Sequence, residues 1–160
     1  MGIGMHLEKN PADRKRIFLV TKAGGGVQYL TQSLTQSLEK MKTDYVDLFF
    51  LHGVSNPRAL KDEFRTWAEA MKREKKIRFF GFSTHSNMAE CLQAAAKLGW
   101  IDGIMTTYNY RLAGELQPAV EACAQAGIGL TAMKTQARTS DTGIQSDVET
   151  KMLESFIQRG

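Results

Sequence analysis

Two lysines, two histidines and several hydroxyl and amide groups stand in this sequence directly after, or at the close of, short runs of β-forming residues. Thr21-Lys22 follows residues 17–20, His52 follows Val46–Leu51, and Ser83-Thr84-His85 follows residues 77–82. Tyr108-Asn109 closes residues 101–110, and Met133-Lys134 closes residues 128–133. In a parallel sheet the carboxyl ends of all strands share one edge, and ligands bind there. A cationic, polar edge of this kind suits an anionic ligand such as a phosphate-bearing cofactor. Each residue also has a structural reading. Lys22 runs into Gly24-Gly25-Gly26, which can be a plain loop, because these glycines form neither GxGxxG nor GxxxxGK[ST]. His52 can be a satisfied histidine closing an apolar strand, His85 can help cap the helix after Ser86, and Lys134 can be a surface lysine. Nucleophilic and metal chemistry gain little support: there is no GxSxG or HExxH, and neither cysteine has a base nearby in sequence. That leaves reactions run by a bound cofactor.

The elements that position these groups follow from periodicity. The β-rich runs start at residues 17, 46, 77, 101 and 128, and each gap holds one segment of helical period. Leu30, Leu34, Leu38 and Met41 form one apolar stripe, and Leu60, Phe64, Trp67 and Met71 another. Asn56 before Pro57 predicts a helix start, Ser86 caps a helix ending at Gly99, and Gly127 closes one beginning near Glu115. Residues 139–143 read as a loop, and Val148, Met152, Leu153 and Phe156 as a terminal amphipathic helix. The βα alternation is the signature of parallel strands with crossover helices. It fits either part of a (β/α)8 barrel, which takes about 250 residues when complete, or a five-stranded flavodoxin-like sheet.

Composition bounds the rest. The chain has 160 residues, 42% hydrophobic and 24% charged, so it is a single globular domain or part of one. No apolar run approaches the ~20 residues of a membrane span, and the first residues do not read as a signal peptide. The net charge of +4 is spread along the chain apart from Lys72, Arg73, Lys75 and Lys76, which read as a solvated helix end rather than a nucleic-acid patch. Cys91 and Cys123 lack metal or redox spacing, so a reducing cytoplasm with two small core thiols is expected.

Several of these segments together resemble the aldo/keto reductases. The stretch from Thr43 through Asp44-Tyr45-Val46-Asp47-Leu48 to Leu51-His52 resembles that family's "DYVDL…LH" strand. Lys76-Ile77-Arg78-Phe79-Phe80-Gly81-Phe82-Ser83 resembles its "KIRxxGxS" strand. Phe18-Leu19-Val20-Thr21-Lys22, Tyr108-Asn109 and the run from Gly127 to Met133-Lys134 resemble further strands in the family's order, over roughly residues 14–136. The resemblance implies an α/β fold whose parallel βα repeats form part of a TIM (β/α)8 barrel, about strands three to seven of eight. It implies NADP(H) as cofactor and reduction of a small aldehyde or ketone. Hydride goes from the nicotinamide to the carbonyl carbon, and a tyrosine protonates the oxygen. By resemblance Lys22 is the lysine that lowers the tyrosine's pKa and His52 the histidine that orients the carbonyl. Ser83, with Thr84 in place of the common Asn, matches the pair that holds the nicotinamide amide, and Met133 and Lys134 lie at the cofactor side of the last strand present. Met105 stands in place of the usual Gln and Met133 in place of the usual stacking Tyr. An Ala-Met-Lys ending resembles a branch in which some members add an iron–sulfur cluster, whose motif is not in this sequence.

The family's aspartate and tyrosine lie upstream of its lysine. None of Tyr29, Tyr45, Tyr108 and Tyr110 occupies the acid's position. The expectation is therefore a partial barrel over residues 1–160 carrying half of an active site, without turnover in isolation. Unpaired sheet edges and an uncovered barrel interior lead to the expectation of a homodimer or larger assembly. The competing expectation is a non-catalytic half-barrel that binds an anionic nucleotide or self-associates.

Overall fold

The computed structural model describes residues 2–135 together with Lys151, Glu154, Ser155 and Gln158. The loop at 139–143 and the helix expected around Val148, Met152, Leu153 and Phe156 lie outside the described residues. Helix α1 (Gly2–Lys9) and a 3-10 turn (Pro11–Arg16) precede strand β1 (Val20–Ala23). Then come α2 (Val27–Met41), β2 (Val46–Leu51), a second 3-10 turn (Pro57–Ala59), α3 (Asp62–Arg73) and β3 (Ile77–Thr84). The series ends with α4 (Met88–Ala95), β4 (Gly103–Thr107), α5 (Ala113–Gln125) and β5 (Gly129–Met133). None of the helices among the described residues is long and apolar enough to cross a membrane.

All neighbouring strands pair in parallel, in the order β1-β2-β3-β4-β5. Right-handed crossovers between successive neighbours put every connecting helix on the same face. A sheet whose order never reverses is an arc of a (β/α)8 barrel. The flavodoxin-like reading is thereby corrected, because that sheet must turn back once.

Alternation along the strands sorts the two faces. Phe49, Leu51, Phe80, Phe82 and Ile104 join the core beneath the helices, with Leu30, Leu34, Leu38, Phe64 and Trp67 packed on them from α2 and α3. Trp67 sits 5.2 Å from the Phe49 ring and 5.8 Å from Phe80, and its Nε1 donates to Thr31 Oγ1 at 2.8 Å, tying α3 to α2. Leu48 and Phe50 face the other, concave side. There Gly81 brings β3 against β4 so closely that a Cβ would lie 1.8 Å from the Gly103 carbonyl oxygen and 3.0 Å from the Phe50 ring. Any side chain at 81 would force the two strands apart.

Several element ends differ from the sequence reading. The first strand is Val20–Ala23 rather than 17–20, because Asp47 Oδ2, not a neighbouring strand, takes the Leu19 N–H at 2.8 Å. Asn56 does cap, accepting from the Arg58 N–H at 2.9 Å, but it caps a 3-10 turn, and the helix carrying Phe64 and Trp67 starts at Asp62. The N-cap of α4 is Asn87, in the left-handed conformation at φ 47°, not Ser86, whose carbonyl is held by the Thr84 hydroxyl at 2.8 Å. That helix stops at Ala95, before Gly99. Gly127, at φ +73°, closes α5 as read, with the Ile128 N–H reaching back to the Cys123 carbonyl at 2.9 Å. Lys72, read as part of a solvated helix end, instead forms an ion pair with Asp102, which also takes the Phe80 N–H at 2.7 Å.

Candidate active site

At the carboxyl end of β1, Ala23 is in the core beneath the helices, so Lys22 before it projects from the concave face, exposed. Next to it, the His52 N–H bonds the Ala23 carbonyl at 2.8 Å, carrying the β1–β2 ladder one step past Leu51. The chain then turns at Gly53, φ +76°, where glycine alone adopts the conformation without strain. This turn folds three polar groups onto one residue of β3. Ser83 Oγ lies 2.9 Å from His52 Nδ1 and accepts the Gly53 N–H at 3.2 Å, while the Ser83 carbonyl accepts the Val54 N–H at 2.9 Å. Ser83 itself is fully buried, and the His52 ring remains exposed on its other side.

The electrostatics agree with this geometry. Partial burial, then the Lys22 ammonium, then His85 hold the His52 pKa below the ordinary histidine value. The imidazole is therefore neutral around neutral pH. The His85 ring stands edge-on to it, with centroids 6.5 Å apart and an interplanar angle of 84°. His85 makes no cap on α4, contrary to the sequence reading; it forms an exposed wall beside His52.

Thr84 is not part of this face. As the neighbour of Ser83 on a strand it points the opposite way, fully buried, with its hydroxyl on the Ser86 carbonyl and close enough to hydrogen-bond the Cys91 thiol of α4. Its side chain therefore faces away from the side of the sheet that Ser83 occupies. Burial pushes the Cys91 and Cys123 thiols up, and both are fully buried. Met133 and Lys134 lie at the far edge of the sheet, after β5. Half-buried Met133 accepts the Tyr108 N–H at 3.1 Å. The backbone carbonyl of exposed Lys134, a residue in the left-handed conformation at φ 53°, accepts from Asn109 Nδ2 at 3.2 Å. Buried Asn109, whose Oδ1 takes the Arg111 N–H, thus fastens the ends of β4 and β5 together.

The structure accordingly brings Lys22, His52, Ser83 and His85 together, and sets Met133 and Lys134 at the opposite edge of the same carboxyl-end rim. The arrangement can present a neutral imidazole donor, an ammonium and, across the arc, a second ammonium to a ligand with anionic and carbonyl groups. In charge, those donors and cations fit a nicotinamide nucleotide. Ser83 fits it less simply, because its hydroxyl is already shared between His52 and Gly53. The sequence did not disclose the Gly53 and Val54 amides as partners of Ser83, since strand register cannot be read from one strand alone.

Residues 1–152 match the model of the aldo/keto reductase family. The L-glyceraldehyde 3-phosphate reductase of Escherichia coli (strain K12) is 34% identical to this chain over 64 residues, 40% of this chain and 18% of that protein. Aldo-keto reductase AKR11C1 of Bacillus halodurans, in its holo form, superposes with a TM-score of 0.71 at 25% identity, over 90% of this chain and 51% of its own. A thermostable aldo-keto reductase, Tm1743, solved with the inhibitor epalrestat, gives a TM-score of 0.72 at 26% identity, over 98% of this chain and 56% of its own. The chain spans about half the length of these solved relatives.

Proposed function

Because this chain belongs to the aldo/keto reductase family of oxidoreductases, we propose that its strand ends serve NADPH-dependent reduction of a small aldehyde or ketone. The observation that carries the proposal is the pairing at the rim: His52, anchored through Nδ1 to Ser83 and kept neutral beside Lys22, presents its free edge to the concave face. A neutral imidazole with one N–H can donate to a carbonyl oxygen and so orient and polarise it. Lys22 supplies the positive charge that, beside a phenol, favours the phenolate and eases proton exchange near neutral pH. Met133 and Lys134 are the proposed contacts to the nicotinamide nucleotide, with Lys134 available to an anionic group, and Ser83 meets it only through the lone pair that His52 and Gly53 leave open. NADPH, when bound, supplies the hydride.

None of Tyr29, Tyr45, Tyr108 and Tyr110 stands at the position of the family's acid. We therefore propose that the 160-residue chain by itself binds cofactor without turnover. The buried thiols of Cys91 and Cys123 support a reducing, cytoplasmic setting. A second reading, a non-catalytic half-barrel that binds an anionic nucleotide or self-associates, is favoured by the two sheet edges at β1 and β5, each paired on one side only among the described residues.

A fluorescence titration with NADPH, with NADP+ and NADH as comparisons, tests the proposal. Saturable micromolar binding, weakened in Lys22→Met, is expected. Absence of binding up to millimolar cofactor overturns the reductase reading.

A further inference from the structure

The bonds around Ser83 decide more than the site's shape. A serine hydroxyl has one proton to give and two lone pairs with which to accept. The Gly53 N–H can only donate, so at 3.2 Å it occupies one lone pair of Ser83 Oγ. His52 Nδ1, 2.9 Å away, either donates to the second lone pair or accepts the serine proton. In the first case the Ser83 proton has no acceptor: the residue is fully buried, and among the described residues its hydroxyl bonds only His52 and Gly53. A buried hydroxyl proton without an acceptor forfeits its hydrogen bond with water and gains none in return. In the second case every group is satisfied.

We propose that Ser83 is the positioning residue for His52: its hydroxyl takes the Gly53 N–H, turns its own proton onto His52 Nδ1, and so fixes the ring with Nε2–H as its outward donor. The role is distinct from holding the nicotinamide amide, which the family resemblance gives to this position. The Gly53 turn is part of the device, because its left-handed backbone turns the chain so that the Val54 N–H reaches the Ser83 carbonyl at 2.9 Å while the Gly53 N–H meets the hydroxyl at 3.2 Å. What the outward N–H serves, orientation of a carbonyl, rests on the reductase reading; the tautomer does not. The low pKa of His52, set by partial burial, Lys22 and His85, keeps the ring in the neutral form that has a tautomer to choose.

Long-range proton–nitrogen NMR of the full 15N-labelled chain reads the tautomer directly. The chain has three histidines, His6, His52 and His85, so His6→Gln and His85→Gln assign the signals. At a pH where His52 is neutral, its Nδ1 is expected at the unprotonated limit and Nε2 at the protonated one. In Ser83→Ala the Nδ1 signal is expected to move toward the average of the two tautomers, and Ser83→Thr restores it. Should the alanine variant fail to fold, Ser83→Cys, a weaker donor of similar volume, carries the comparison and is expected to give an intermediate shift. A wild-type ring protonated on Nδ1, or an Nδ1 signal that stays in place when the hydroxyl is removed, overturns the assignment. An NADPH titration of the same samples separates the two readings. The expected tautomer without NADPH binding overturns the reductase reading alone. NADPH affinity lost in Ser83→Ala with the tautomer unmoved overturns the positioning role alone.

Discussion

At His52 three causes act in one direction: partial burial, the Lys22 ammonium and His85 all disfavour the imidazolium. The folded chain thus binds a proton less readily here than the unfolded chain, whose histidine titrates at about 6.5. The sign follows by linkage. Stability contributed by neutral His52 is present above the unfolded value and is lost as the pH falls through the folded one. In a proton NMR titration, His52 is expected to have a midpoint below the ordinary histidine value, and Lys22→Met to raise it by removing a neighbouring positive charge. A His52 midpoint at or above the ordinary value, or one indifferent to Lys22→Met, would remove the electrostatic link between the two residues. Both were legible in the sequence because each stands at the end of a β-rich run, where a parallel sheet must expose it. The direction in which Thr84 points was not legible. The apolar run ends at Phe82, but β3 continues two residues further, so Ser83 and Thr84 alternate like any strand neighbours and only Ser83 reaches the concave face.

Between elements, the opposite end of the sheet carries an anchor that sequence patterning hid. Asp47, 1% exposed in the middle of an apolar strand run, accepts the Leu19 N–H at 2.8 Å, Arg14 Nη2 at 2.9 Å and Arg78 Nη1 at 2.6 Å. Burial alone raises its pKa, but the Leu19 amide and the two guanidiniums outweigh burial and leave the carboxyl below its ordinary value. Arg14 also donates to the Thr43 hydroxyl and to the Ile17 and Tyr45 carbonyls, and lies 3.7 Å from the centre of the Tyr45 ring. The turn before β1, the loop before β2 and the start of both strands are therefore fastened through one side chain. Its sequence signal is weak, since an arginine in a charged stretch looks solvated until Asp47 is known to lie opposite. The two guanidiniums are not equivalent: the Arg14 side chain is 11% exposed and that of Arg78 56%. Removing a buried partner leaves an uncompensated charge, whereas an exposed partner is worth little. Urea unfolding should therefore show Arg14→Ala losing about 3–5 kcal/mol and Arg78→Ala about 1 kcal/mol or less. Equal losses, or the reverse order, would mean that Asp47 is compensated chiefly from outside.

Over the whole molecule, the number of strands, their parallel direction and the helix stripes could be read from spacing and period. The curvature of the sheet could not, because it depends on register. What makes this an arc is the unreversed order, with Gly81 against Gly103 where β3 and β4 close up on the concave side. That concave side has a consequence for the 160-residue chain in solution. In the register of the first three strands, Val20, Leu48 and Phe79 form one row, and the Phe18 ring stacks on Phe79 with centroids 6.2 Å apart. Phe18, Val20 and Phe79 are 56%, 42% and 37% exposed, beside the edge of β1 that no strand among the described residues covers. An unpaired parallel edge offers its backbone donors and acceptors to another strand, and an adjoining apolar surface adds a driving force that favours covering both. A second copy of the chain has the same edge and the same surface to offer. Light scattering of the purified chain is therefore expected to give a dimer or larger assembly. Phe18→Lys, at an exposed position where the charge disturbs no buried contact, is expected to shift the mass toward the monomer and to increase binding of a dye that reports exposed apolar surface. A wild-type monomer that binds no such dye would mean that the concave face is covered within a single chain, and the self-association reading would fall with it.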